Sequence, residues 1–124
     1  MKTAIIILLL AFATAAHAED AHTWTRTDYA LEVTYQALHL VDWRQTVTIS
    51  QNGDKYIELN KSLGPHPSHG NVNRYMGFIA VGHVVVSIVL PRPARTVWQS
   101  ISLLEVAAAV NSNRRLGIGA TFHF

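Results

Sequence analysis

The 124-residue chain has no cysteine. That excludes disulfide staples, thiol chemistry and cysteine-ligated zinc. Charge is also scarce. Asp, Glu, Lys and Arg make up 15% of the residues, and the net charge of +2 is scattered rather than gathered into a basic stripe, which excludes nucleic acid as a partner. The zinc-site pattern H-E-x-x-H does not occur, and there is no G-x-S-x-G nucleophile elbow. What is present is aliphatic: 49% of the residues are hydrophobic, which points to a bundle core or to lipid.

The first eighteen residues read as a secretory signal peptide. Lys2 supplies a positive start, residues 4–16 an apolar run, and Ala16-His17-Ala18 a small-x-small cleavage site before Glu19. An uncleaved membrane helix is the alternative, although the run is shorter than the ~20 residues a span needs. Export of a mature chain starting at Glu19 is therefore expected, leaving residues 19–124 as a single domain.

Three helices are predicted in that domain. Thr25 and Asp28 have the spacing of a capping box, and no glycine or proline interrupts the chain from there to Ser50. Ala30, Val33, Ala37, Leu40, Val41 and Val47 fall on one side of that helix, while Glu32, Tyr35, His39, Asp42 and Thr46 fall on the other. Gln51-Asn52-Gly53-Asp54 stops it. Residues 56–68 form a joint, in which Pro65 and Pro67 forbid regular structure and Ser68 suits an N-cap. Residues 72–90 and 94–110 are apolar nearly all round and, joined only through Pro91 and Pro93, form an antiparallel hairpin. The end of the chain, LGIGATFHF, alternates and closes on Phe124. One such stretch cannot make a barrel of at least eight strands, so an extended strap on the bundle is expected. The fold class is all-α: a small three-helix bundle with one amphipathic helix, an apolar helical hairpin and an extended tail.

Two helices apolar all round have little to hide behind in a domain this small, which favours a membrane-embedded or membrane-associated protein. Arg74 at one end, and Arg92, Arg95 and Trp98 at the other, suit interfacial anchors. Asp42, His83 and Glu105 are the polar side chains to explain. Neither His83 nor Glu105 has a charged neighbour within a helical turn, and burying an unpaired charge costs several kcal/mol. Antiparallel packing sets the midpoints of the two hairpin helices side by side, so His83 and Glu105 are expected to pair. The joint is expected to bring Glu58 or Asn60 back toward Asp42. Asp42, Glu58, His83 and Glu105 are thus the catalytic candidates, and Gln45, Thr46, Asn60, His66 and Ser68 the binding candidates. The same cluster could be a packing network, an acid–base site or a metal site, and neither a metal nor a cofactor can be named from it.

Three segments carry a family resemblance: Asp42-Trp43-Arg44-Gln45-Thr46, then Glu58 to Gly64, then His66-Pro67-Ser68. They resemble a group of uncharacterised small bacterial and phage-borne proteins with the pattern D-W-x-Q-T, then E-x-N-P-x-L-G-x-H-P-S. In that group a tyrosine, a helix with His, and a helix with W-Q and Glu follow. Tyr75, His83, Trp98, Gln99 and Glu105 fit this order, whereas Lys61 stands where the pattern has proline. The resemblance implies a helical membrane-type protein and no activity. The expectation is an exported protein of the bacterial inner membrane or periplasm, in contact with lipid, acting by binding or assembly around a buried polar cluster. A small membrane hydrolase or metal-dependent enzyme is the alternative.

Overall fold

A computed structural model describes residues 19–120 of the chain; the expected signal peptide and Phe124 lie outside the described residues. A 3-10 turn at Glu19–His22 leads into three helices, α1 (Arg26–Gln51), α2 (His69–Val89) and α3 (Arg92–Arg115), and no strand occurs among the described residues. They form the expected up-down-up bundle, in which α1 packs on both other helices and most extensively on α3.

Local chemistry sets the boundaries. The Thr25 hydroxyl accepts from the Asp28 amide while the Asp28 carboxylate accepts from the Thr25 amide at 2.7 Å, closing the capping box of α1. Ser68 caps α2 by accepting from the Asn71 amide. Pro91 ends the α2–α3 connection, and Pro93 sits in the first turn of α3, where a missing amide hydrogen costs nothing. Helix α3 runs one turn beyond the expected stop. It ends in a Schellman motif: Gly117 takes φ +79°, its amide bonds to the Arg114 carbonyl, and the Ile118 amide bonds to the Asn113 carbonyl. Ile118 is then buried, and its carbonyl accepts from Gln45 on α1, so the tail is strapped to the bundle as far as it is described.

A small apolar core of Val47, Val72 and Met76, with Trp43, Leu63 and Tyr75 against it, lies near the joint. Elsewhere much of the interior is polar. Helix α1 buries Glu32, Tyr35 and His39 and exposes Ala30, Val33, Ala37 and Leu40, the reverse of a helix on an apolar core. Helix α2 likewise buries His83 and Ser87 while Phe78 is 76% exposed and Val81, Val85, Ile88 and Val89 face outward.

Candidate functional site

At the hairpin end, Arg95 is fully buried, and all five of its N–H groups are used. Nε donates to the Ser87 carbonyl at 2.7 Å, Nη1 to Asp28 and the Thr23 carbonyl, and Nη2 to the carbonyls of His22 and Leu90. One side chain thus ties the end of α2 and the segment before α1 to α3. The expectation that Arg95 anchors the protein at an interface is overturned. The open carbonyls at the end of α2 need a donor, and Arg95, one turn into α3, is the nearest. Trp98 is not an interfacial anchor either: it is half-buried and stacks on His83 with ring centroids 5.0 Å apart.

One layer further in, Glu32 accepts four hydrogen bonds, the full capacity of an ionised carboxylate. Gln36 and His83 Nδ1 bind one oxygen, each at 2.9 Å, and Ser87 and Gln99 bind the other at 2.9 and 3.1 Å. His83, 2% exposed, is sandwiched between Tyr35, at 3.6 Å, and Trp98. Because Glu32 can only accept, Nδ1 carries the proton. Among the described residues, Nε2, on the opposite edge of the ring, has no partner, and neither has Trp98 Nε1.

Between the three helices and the joint lies a cavity of about 660 Å³. Its wall includes His83 and Trp98 on the side of the polar network, His39, Asp42 and Asn60 toward the joint, and Glu105 at the exposed edge. His39 Nε2 lies 2.9 Å from the Met76 carbonyl, so that nitrogen carries the proton and Nδ1 is left an acceptor. Asn60 donates to the Tyr75 hydroxyl at 3.1 Å. Asp42 accepts from Asn113 at 3.2 Å.

The residues singled out from the sequence separate into two groups. Asp42, Asn60, His83 and Glu105 line the cavity together. His83 does not pair with Glu105, because Glu32 on α1 holds its Nδ1; Glu105 makes no hydrogen bond or ion pair among the described residues. The remaining residues serve the fold. Glu58 accepts from the Asn60 amide at 2.7 Å and shapes the joint. Gln45 is buried, donates to the Ile118 carbonyl and accepts from Asn113. Thr46 is buried, His66 is exposed in the joint, and Ser68 is the cap of α2.

Sequence reasoning missed Glu32, Tyr35 and His39 as interior groups. Their signal was there: with Asp42 they recur at the spacing of one helix face. Among the described residues no three His, Asp or Glu side chains are grouped to hold a metal ion.

Fold and site together define a class: a three-helix bundle with a polar interior, an apolar exterior and a cavity open at one edge. No family model matches the chain, and neither a curated protein nor a solved structure matches it.

Proposed function

We propose that the chain is an exported, membrane-embedded bundle that acts by binding within its cavity. The observation that supports this reading best is the inverted polarity. Asp28, Glu32, His39, His83, Arg95 and Gln99 are buried, while the outer faces carry Val33, Leu40, Phe78, Val85, Ile88 and Leu104. In water that arrangement would expose apolar area and bury polar groups, both unfavourable. In lipid it is the low-energy one, since polar side chains face the bundle interior and apolar ones the chains of the bilayer.

The dimensions agree. Along α1 the outer face carries no charge between Arg26 and Arg44, roughly 27 Å at 1.5 Å per residue. Along α2 the uncharged length from Arg74 to Leu90 is roughly 24 Å, to be set against a hydrocarbon core of ~27–30 Å. Helix α2 is long and apolar enough to cross a membrane, and only 22% of its most apolar stretch is buried. Residues 1–18 act as the export signal in this reading, and the resemblance favours a bacterial envelope. Alkaline carbonate extraction of membranes carrying the full chain tests the reading. The protein should stay in the pellet and need detergent for release, and its intact mass should begin at Glu19; recovery in the soluble fraction sinks the proposal.

A second reading, acid–base catalysis, has one observation in its favour: Glu32 orients His83 as a carboxylate orients the histidine of a hydrolase. Among the described residues no hydroxyl is hydrogen-bonded to Nε2, so no nucleophile that would complete such a site is assembled from them. Binding is therefore the better supported function.

A further inference from the structure

We infer that the cavity takes a protonated amine with an apolar, ring-sized body. This inference rests on the binding reading above and names its ligand class.

The carboxyl groups of Asp42 and Glu105 have no lysine or arginine beside them in the wall of the cavity. His39 adds a further acceptor. Its Nε2 is committed to the Met76 carbonyl, which can only accept. The ring is therefore held in the tautomer that leaves Nδ1 with a lone pair. His83 is 2% exposed, and its Nδ1 is committed to Glu32. The donors in the wall are neutral: the Asn60 amide, the Ser102 hydroxyl and the tyrosine hydroxyls.

The rest of the wall specifies the body of the ligand. Tyr75, Phe78 and Trp98 line the cavity, and aromatic ring faces attract cations where water is excluded. At about 660 Å³ the space is that of a small-molecule site, larger than an ammonium ion alone needs. Glu105 is exposed at its edge and is the one charged group on the outer surface of α3 between Arg95 and Arg114. An entering cation meets it first, and Asp42 and His39 lie further in.

Three probes of one shape and different charge test the idea: 1-naphthylmethylammonium, 1-naphthylmethanol and 1-naphthoate. Binding to the full chain in a nonionic detergent is measured by equilibrium dialysis against protein-free micelles. The amine should bind saturably at one site, at least about tenfold more tightly than the alcohol or the carboxylate, a factor of ten being 1.4 kcal/mol. The double variant Asp42→Asn, Glu105→Gln should lose about that factor while keeping its helical circular dichroism. Should the double variant not fold, Glu105→Gln alone, at an exposed position, should weaken the amine about threefold and leave the alcohol unchanged. Equal binding of amine and alcohol, preference for the carboxylate, or amine binding indifferent to the substitutions would each overturn the inference. None of those results touches carbonate extraction, so the membrane reading stands or falls separately.

Discussion

Arg95 and Glu105 lie on the same helix, about 15 Å apart along its axis at 1.5 Å per residue, and they are treated in opposite ways. Arg95 is fully buried with every N–H paired, whereas Glu105 is exposed, carries a charge amid apolar neighbours and has no partner among the described residues. The same contrast divides the interior. Around Arg95 and Glu32 the groups converge from all three helices and most are paired, with Asp28 Oδ1 and Gln99 Oε1 left without a partner among the described residues. Around Asp42 and Glu105 the polar atoms face a cavity and are only partly used. A satisfied polar network fixes how helices pack, while open polar atoms in a cavity are available to a ligand. The difference assigns structure to one region and binding to the other.

Removing Arg95 should have the largest effect. In Arg95→Met the Asp28 carboxylate loses its charged partner and four backbone carbonyls lose a donor at once, a loss of about 3–5 kcal/mol. Against a total stability of ~5–15 kcal/mol for a domain, thermal unfolding in detergent should fall steeply or the yield collapse. Arg95→Lys should recover only part, because an ammonium has three donors for five acceptors and no planar fork. Stability unchanged in Arg95→Met would erase the contrast between the two regions.

Glu32→Gln comes next. The amide presents hydrogens to partners that are themselves donors, so the links to His83, Ser87 and Gln99 cannot all survive. About 1.5–3 kcal/mol should be lost. Trp98, stacked on His83, makes intrinsic fluorescence a local reporter of the change. A smaller effect is expected at Gly117. A Cβ there meets nothing within 4 Å, so Gly117→Ala carries only the strain of φ +79°, about 1 kcal/mol by thermal unfolding.

How much of this can be read from the sequence follows from the same contrast. Caps and breakers act locally, so Thr25 with Asp28, Ser68, Pro91 and the turn at Asn52-Gly53 place the helices within a few residues. The stop of α3 reads one turn early because its last turn depends on a tertiary bond: Asn113 donates to Asp42 and Gln45 on α1. The identity of the partners is less legible. Periodicity separates two faces of a helix but does not say which one is buried; that depends on whether the surroundings are water or lipid. The expected pairing of His83 with Glu105 follows from the hairpin alone, which sets the midpoints of α2 and α3 side by side and leaves Glu32 on α1 out of account. The chemistry that requires His83 to find a carboxylate is sound, and the helix that supplies it is the other one.

Glu105→Leu gives the smallest effect on stability and the sharpest division between the regions. Had Glu105 been the partner of His83, this substitution would strand a buried donor. Since Glu32 fills that role, the change removes no hydrogen bond and places an apolar side chain beside Ile101 and Leu104, which already face outward. The difference in thermal stability should stay within about 0.5 kcal/mol, the range of surface substitutions away from any network. Binding of the naphthyl amine should nonetheless fall about threefold or more, because the charge at the cavity's edge is gone. Circular dichroism melting and equilibrium dialysis on the same preparation read both quantities. A stability loss as large as that of Glu32→Gln would place Glu105 inside the structural network and move the boundary between the two regions to the far side of the cavity.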